Sequence, residues 1–313
     1  MKSIVTLTMN PCIDINAVVD RVVAERKLRC NSSRYEPGGG GVNVSRAVKK
    51  LGGDSTALLP AGGAHGNLLQ ELLDREGVRQ EIVSIQGWTR ESFIAFESDT
   101  GQQYRFSLPG PRLREEEWSR CLDRFHGLCE AAGLIVASGG LPPGVPEDFY
   151  ARLARSCRDN RFRLVLDTSG APLRKALDAY PFLIKPNLRE LNDMAGKELE
   201  GDAEIEAFAR KLVEEEKSEV VVVSLGAAGA LVTWKEGQLT VRAPTVPIKS
   251  KVGAGDSMVG GLVLALDRGK ELEDAARFGV ASGAAAVMTP GTELCRREDA
   301  ERLYASMSGD REG

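Results

Sequence analysis

V220-V221-V222-V223-S224-L225-G226-A227-A228-G229-A230 sets four valines in a row before a glycine turn. Such a run cannot alternate between a core face and a wet face. A strand made from it is covered on both sides, as strands of parallel sheets are. The same reading extends outward to Ile4–Leu7, Thr56–Leu59, Leu134–Ala137, Leu164–Leu166 and Phe182–Ile184. Between these runs lie amphipathic segments at Val42–Leu51, Asn67–Glu76, Glu115–Cys129, Glu147–Cys157 and Ala203–Glu215. Strand and helix alternate, which predicts an α/β fold: a doubly wound, mostly parallel sheet flanked by helices.

Two regions break that rhythm, at about residues 13–36 and 79–108. S92-F93-I94-A95-F96-E97 and Y104-R105-F106-S107-L108 alternate apolar with polar residues. That pattern fits strands wet on one face, a small β-sheet lid inserted into the larger unit. A length of 313 residues suits two domain-sized units or one large α/β unit. The expected organisation is a single domain over 1–313 carrying the two lid inserts. A short polar tail follows Ser308.

Charge and composition exclude some classes. The net charge of −4 argues against a nucleic-acid surface, where a basic stripe is expected. No apolar run approaches the roughly 18 residues needed to cross a bilayer, and the polar N-terminus does not fit a signal peptide. Six scattered cysteines and two histidines show no zinc spacing. The expectation is a reduced, cytoplasmic protein with no nucleic-acid or membrane partner.

The segment V252-G253-A254-G255-D256-S257-M258-V259-G260-G261 leads into the apolar residues Leu262–Leu266. Glycines let a backbone approach a ligand closely, and the first amides of a helix lack intrahelical partners. Together they form an anion site. Asp256 in the first turn then sits beside the bound anion, an arrangement suited to a phosphoryl group in transfer, whose charge fixed N–H donors can share. An ordinary Asp titrates near 3.9 and a helix N-terminus favours its ionised form, so Asp256 is expected to be a weak base. The competing reading is that Asp256 only caps a core helix. The segment lacks the third glycine of a dinucleotide fingerprint, and the chain has no P-loop.

Three separated motifs carry a resemblance. P37-G38-G39-G40-G41-V42-N43-V44-S45-R46-A47, K185-P186-N187-L188-R189-E190 and the 252–256 segment occur in the order found in the ribokinase-like, phosphofructokinase B family of carbohydrate kinases. The chain resembles that family over about residues 3–307. Segments such as K27-L28-R29-C30, W88-T89-R90, Q103-Y104-R105-F106 and L141-P142-P143-G144-V145 look nearest its 6-phosphofructokinase branch.

The resemblance implies an ATP- and Mg²⁺-dependent kinase acting on fructose 6-phosphate. Asp256 would be the base, and Gly253, Ala254 and Gly255 the anion hole. Lys185, Asn187, Ser224, Gly226, Gly229 and Gly283 would lie at the nucleotide, with Asn187 and Glu190 helping to place Mg²⁺. Asp14, Gly38, Gly39 and Asn43 would hold the sugar, and Lys27, Arg90 and Arg105 its phosphate. Lid sheets in such proteins pair between subunits, so a homodimer through the lid is implied, with cations acting across it.

Plainer alternatives stand beside several of these. Asn43 suits a helix cap, Asn187 with Glu190 fits a capping box, and Gly283 suits tight helix packing. The lid cations suit solvated charges. Two departures from the family pattern are Gly140, where a serine is usual, and Lys251, where a threonine is usual. Sister kinases of tagatose 6-phosphate or fructose 1-phosphate are the near alternatives. A non-catalytic sugar-phosphate sensor is the distant one.

Overall fold

The computed structural model describes residues 3–129 and 132–308; residues 1–2, 130–131 and the tail after Ser308 lie outside that description. The first half of the chain runs β1 (Ser3–Leu7), β2 (Cys12–Val19), β3 (Ser32–Gly38), α1 (Gly40–Lys50), β4 (Ser55–Ala61), α2 (Gly63–Arg75), β5 (Arg79–Ser84), β6 (Arg90–Glu97), β7 (Gln103–Ser107) and α3 (Glu115–Cys129). The second half runs β8 (Ala132–Ser138), α4 (Phe149–Asp159), β9 (Arg163–Asp167), α5 (Gly170–Leu177), β10 (Leu183–Ile184), α6 (Leu188–Ala195), α7 (Gly201–Glu214), β11 (Val220–Ser224), β12 (Ala230–Trp234), β13 (Gly237–Val241), α8 (Ala254–Asp267), α9 (Leu272–Val287) and α10 (Arg297–Ser308).

Nine strands form the large sheet in the order β13-β12-β11-β10-β9-β8-β1-β4-β5. Its pairings are parallel from β5 through β11, and β12 and β13 close one edge as an antiparallel hairpin. The valine run shows why its strands are continuously apolar. Val221 and Val223 enter the core on one face, while Val220 and Val222 enter the core on the other. On β8, Ile135 and Ala137 divide from Leu134 and Val136 in the same way. Each valine, leucine or isoleucine among them contributes about 1.5–3 kcal/mol on burial, so exposing either face would be costly.

The four-stranded lid has the order β3-β2-β6-β7. The expected alternation does not appear as alternating exposure: Ile94 and Ala95, neighbours on β6, are both buried, and most of β7, Phe106 included, is exposed. One expected boundary is corrected. Residues 79–84 form β5 and pair in parallel with β4, Leu59 opposite Ile82, at the edge of the large sheet. The polar letters of R79-Q80-E81 reflect an edge position, not a lid position. The second insert therefore supplies β6 and β7 only, and residues 20–31 link β2 to β3 without a strand. Among the described residues no helix is long and apolar enough to cross a membrane.

α8 and α9 pack closely against each other. A Cβ on Gly261 would fall 2.3 Å from Ser282 Oγ, and one on Gly260 would fall 2.8 Å from Ala47 Cβ of α1. These two glycines let α8 lie deep between its neighbours, which fixes where its N-terminus emerges.

Candidate active site

That N-terminus opens into a cleft of about 300 Å³ between the carboxyl ends of the sheet strands and the lid. Ligands of open α/β sheets bind at such strand ends. The cleft wall brings together Asp14, Gly39, Asn43, Arg90, Arg105, Glu190, Gly253 and Asp256 from six separate stretches of chain. It also includes Asp167 and Gly140.

The cap reading of Asp256 fails. Gly253 occupies the cap position of α8 with φ 75° and no side-chain cap, and a Cβ there would meet Leu294 Cδ2 at 2.3 Å. Asp256 lies one turn in and accepts a hydrogen bond from Asn43 Nδ2 at 2.9 Å through Oδ2. The cap reading of Asn43 fails as well. α1 starts beyond Gly39, and Asn43 sits within it, its side chain spent on Asp256.

The expectation of an ordinary, fully ionised Asp256 is also corrected. Burial, and then the nearby Asp167 carboxylate, push it up to about 6. The bond from Asn43 and the charge of Lys185 oppose this only in part. Desolvation outweighs the helix terminus because the carboxyl has lost most of its water.

Asp167, at the end of β9, is the site residue that sequence reasoning missed. It accepts from Lys185 Nζ at 3.1 Å, and both side chains are largely buried. Burial alone would lower the Lys185 ammonium, but Asp167, with Glu190 and Asp256 further off, holds it above its usual value. The signal was present: L164-V165-L166-D167 ends an apolar parallel strand on a carboxylate, where such folds place ligands. Lys185 Nζ also lies 3.6 Å from where a Cβ on Gly255 would stand, beside the first amides of α8.

Asn187 and Glu190 do form a capping box. Asn187 Oδ1 accepts from the Glu190 amide and Glu190 Oε2 from the Asn187 amide, both at 2.9 Å. Glu190 is raised by burial and by Asp167. Its second oxygen has no hydrogen bond among the described residues, and Glu190 lines the cleft. Among the described residues no three His, Cys, Asp or Glu side chains group closely enough to cage a metal. One free oxygen on Glu190, with Asp167 near it, suits a divalent ion that keeps most of its waters and takes phosphate oxygens.

Asp14 stands on β2, raised by burial and then held back by a bond from the Cys12 thiol at 3.2 Å and by Arg46, Arg90 and Arg105. Gly38 leaves it room, because a Cβ there would lie 2.5 Å from Asp14 Oδ2. Arg90 is braced by Asn10 O, Ser92 Oγ, Ser107 Oγ and Leu108 O. Arg105 faces both this cleft and a larger cavity under the lid that Lys251 also lines.

Other expected residues lie apart from the cleft wall. Lys27 is exposed in the 20–31 link. Ser224 ends β11 and bridges to Asn187, so its turn adjoins the Lys185–Glu190 segment. Gly226 begins a 3-10 turn that ends at Gly229. A Cβ on Gly229 would fall 2.0 Å from Val241 O, so the hairpin itself demands that glycine. Gly283 packs against α8: a Cβ there would lie 3.1 Å from Ala254 O and 3.3 Å from Met258 Cβ.

Comparison with known proteins gives the chain a family. The profile of the pfkB family carbohydrate kinases matches residues 4–299. The chain is 47% identical over 301 residues to the ATP-dependent 6-phosphofructokinase isozyme 2 of Mycobacterium tuberculosis (strain ATCC 25618 / H37Rv), covering 96% of this chain and 88% of that one. It is 40% identical to the protein of the same name from Escherichia coli (strain K12), over 98% of this chain and all of the other. The crystal structure of Escherichia coli phosphofructokinase-2 in complex with substrates and products superposes with a TM-score of 0.94 at 40% identity, covering 98% of this chain and 99% of that one. The motifs at 37–47, 185–190 and 252–256, the two-sheet architecture and these matches agree: the chain belongs to the pfkB family of carbohydrate kinases.

Proposed function

We propose that this chain is an ATP-dependent 6-phosphofructokinase, a phosphotransferase with an alcohol acceptor, and that Asp256 is its base. It moves the γ-phosphoryl group of ATP to the 1-hydroxyl of fructose 6-phosphate, giving fructose 1,6-bisphosphate and ADP. The observation that carries the reading is a single cleft with Asp256 at the α8 terminus and Arg90 and Arg105 on its lid side.

The sugar's ring hydroxyls face Asp14 and Asn43, and its phosphate faces Arg90 and Arg105. The 1-hydroxyl then lies against Asp256, whose Oδ1 is left open because Oδ2 is held by Asn43. Asp256 takes the hydroxyl proton as the oxygen bonds to the γ-phosphorus and the bond to the bridging oxygen of ADP breaks. A carboxylate raised to about 6 is ionised at neutral pH and a better proton acceptor than an ordinary one. The amides of Gly253, Ala254 and Gly255 point at the transferring group, where fixed donors stabilise developing charge. Lys185, positioned by Asp167, adds a cation beside them. Mg²⁺ neutralises phosphate charge when bound, and Glu190, Asn187 and Asp167 are the residues suited to hold it. The turn at Ser224, Gly226 and Gly229, with Gly283, is assigned to the nucleotide.

A homodimer through the lid is part of the same reading. Tyr35, Phe106 and Leu108 leave about half their surface exposed there, at 49%, 53% and 52%. Lys27, exposed in the 20–31 link, is assigned to the partner's cleft. The chain is assigned to the cytoplasm, where its substrates are.

A coupled assay of ADP release over fructose 6-phosphate, tagatose 6-phosphate and fructose 1-phosphate tests the substrate. The highest kcat/KM is expected on fructose 6-phosphate. A higher value on either of the others overturns that choice.

A further inference from the structure

We propose that Arg46 is a positioning residue for the phosphoryl transfer: it fixes which way the Asn43 amide points and, through that amide, holds Asp256. The proposal rests on the reading of Asp256 as base. Arg46 lies on α1 three residues beyond Asn43, so both project from one face of the helix. It is the largest fully buried side chain among the described residues, with 1% of its surface exposed.

A buried guanidinium needs partners, and this one has them from three directions. Nε donates to Glu76 Oε2 at 2.9 Å and Nη2 to Glu76 Oε1 at 2.7 Å, a two-pronged pairing at the end of α2. Nη1 donates to Pro37 O of β3 at 2.8 Å and to Asn43 Oδ1 at 3.2 Å. Glu36 Oε1 stands 3.9 Å from Nη2. With the fork clamped by Glu76, the position of Nη1 is set.

The consequence lies in the chemistry of the two groups. A guanidinium has only donors, whereas an amide has an accepting oxygen and a donating nitrogen. Facing Nη1, Asn43 must present its oxygen. Its nitrogen is then turned toward Asp256, where it donates to Oδ2 at 2.9 Å. The flipped amide would set donor against donor at Arg46 and oxygen against carboxylate at Asp256. Arg46 thus selects the one orientation that supports an ionised Asp256 and leaves its Oδ1 facing the acceptor hydroxyl.

The charged groups around the pair are Asp167 from β9, Lys185 from beyond β10 and Asp14 from β2, all acting on Asp256. Glu76 and Glu36 face Arg46. A hydrogen bond to the charged form of an acid lowers its pKa, so losing the Asn43 bond raises Asp256 further. Because the base must be ionised, the acidic limb of the kcat profile then moves to higher pH.

The experiment uses the full chain with fructose 6-phosphate and ATP. Arg46→Lys keeps a charge near Glu76 but has no fork to span Glu76, Pro37 and Asn43. Its kcat is expected to fall about 10- to 100-fold, with the KM for ATP within about twofold. Its acidic limb is expected to move up by about half a unit to one unit. In an Asp256→Asn background the same change is expected to cost no further kcat, since both act through one group. A further additive loss there, or an unmoved acidic limb in Arg46→Lys, overturns the proposal. Should Arg46→Lys fail to fold, Glu76→Gln loosens the fork while leaving Arg46 in place. It is expected to shift the limb in the same direction, and an unmoved limb overturns the proposal equally. An Asp256→Asn enzyme with full turnover would instead remove the base itself. Loss of turnover there, with normal Arg46→Lys kinetics, removes Arg46 alone.

Discussion

The two ends of the cleft are built differently. At the Asp256 end every charged group has a partner fixed by the core: Asn43 on Asp256, Asp167 on Lys185, Glu76 on Arg46. Apart from Glu76 at the end of α2, these residues stand on α8, α1 and the ends of β9 and β10, elements buried against one another. At the lid end the scaffold is a four-stranded sheet whose two edge strands are mostly exposed, and the Arg105 side chain on β7 makes no hydrogen bond or ion pair among the described residues. Rigid placement favours interactions made at the transition state, and mobile charges favour ground-state binding. Changes at the core end should therefore act on kcat and changes in the lid on KM for the sugar.

The largest break is Asp256→Asn. Losing a general base should lower kcat by about 10²–10⁴-fold, with sugar-phosphate binding measured by calorimetry retained. In the wild type, activity should fall as pH drops below about 6, where Asp256 takes up its proton. The stability sign runs the other way. The folded pKa lies above the unfolded value, so folding favours the neutral acid, and its contribution fades as pH rises through about 6. Asp256→Asn should therefore raise the unfolding midpoint at pH 7.5 by about 2–4 °C and leave it unchanged near pH 4. A midpoint that falls at pH 7.5 would mean that the carboxylate is well satisfied there. The contrast between a strained base and a relaxed lid would then be lost.

The next effect comes from the lid. Arg105→Ala should raise KM for fructose 6-phosphate about 10- to 100-fold, the range for hydrogen bonds to a charged group, and leave KM for ATP unchanged. Its stability should change little, because the Arg105 side chain makes no hydrogen bond or ion pair among the described residues and acts on Asp14 only as a distant charge, more weakly than Arg46 or Arg90. Arg90→Ala should raise the same KM but also lower the unfolding midpoint, since Arg90 ties β6 to Asn10 and to Leu108. Equal losses for sugar and nucleotide in both variants would end the division of labour between the two regions.

The same contrast explains what the sequence made visible. Continuous apolar runs such as Val220–Val223 and Leu134–Ala137 announce strands covered on both faces, because burial on two sides leaves no polar position. The lid strands were visible through their alternation. The edge strand β5 was not, because an edge in a parallel sheet is as polar as a lid strand. The hairpin β12–β13 follows the glycine turn at 226–229 without a periodicity of its own.

Among site residues, those in glycine-rich or N-x-x-E settings could be read locally. Asp167 and Arg46 could not be read so easily, because each acts through a partner distant in the chain. Arg46 sits inside a named motif, yet its link to Glu76 spans 30 residues and the Asn43–Asp256 bond 213. Residue type alone does not reveal such pairings.

The smallest effect tests the wall between the two regions. Gly140 lines the cleft next to the end of β8, and a Cβ placed there meets nothing within 4 Å. The missing side chain is therefore not forced by packing. Gly140→Ser should fold normally and add a hydroxyl on the rigid side of the acceptor site. One neutral hydrogen bond is worth about 0.5–1.5 kcal/mol, so KM for fructose 6-phosphate should fall about two- to tenfold. If the gain appears in KM alone, the hydroxyl binds the sugar equally before and during transfer, as lid contacts do. If it appears in kcat, the hydroxyl has joined the Asp256 network, and the boundary between recognition and chemistry lies nearer the lid than Asp14. A serine that changes neither parameter would place the sugar away from the end of β8 and against Asp14 and the lid arginines.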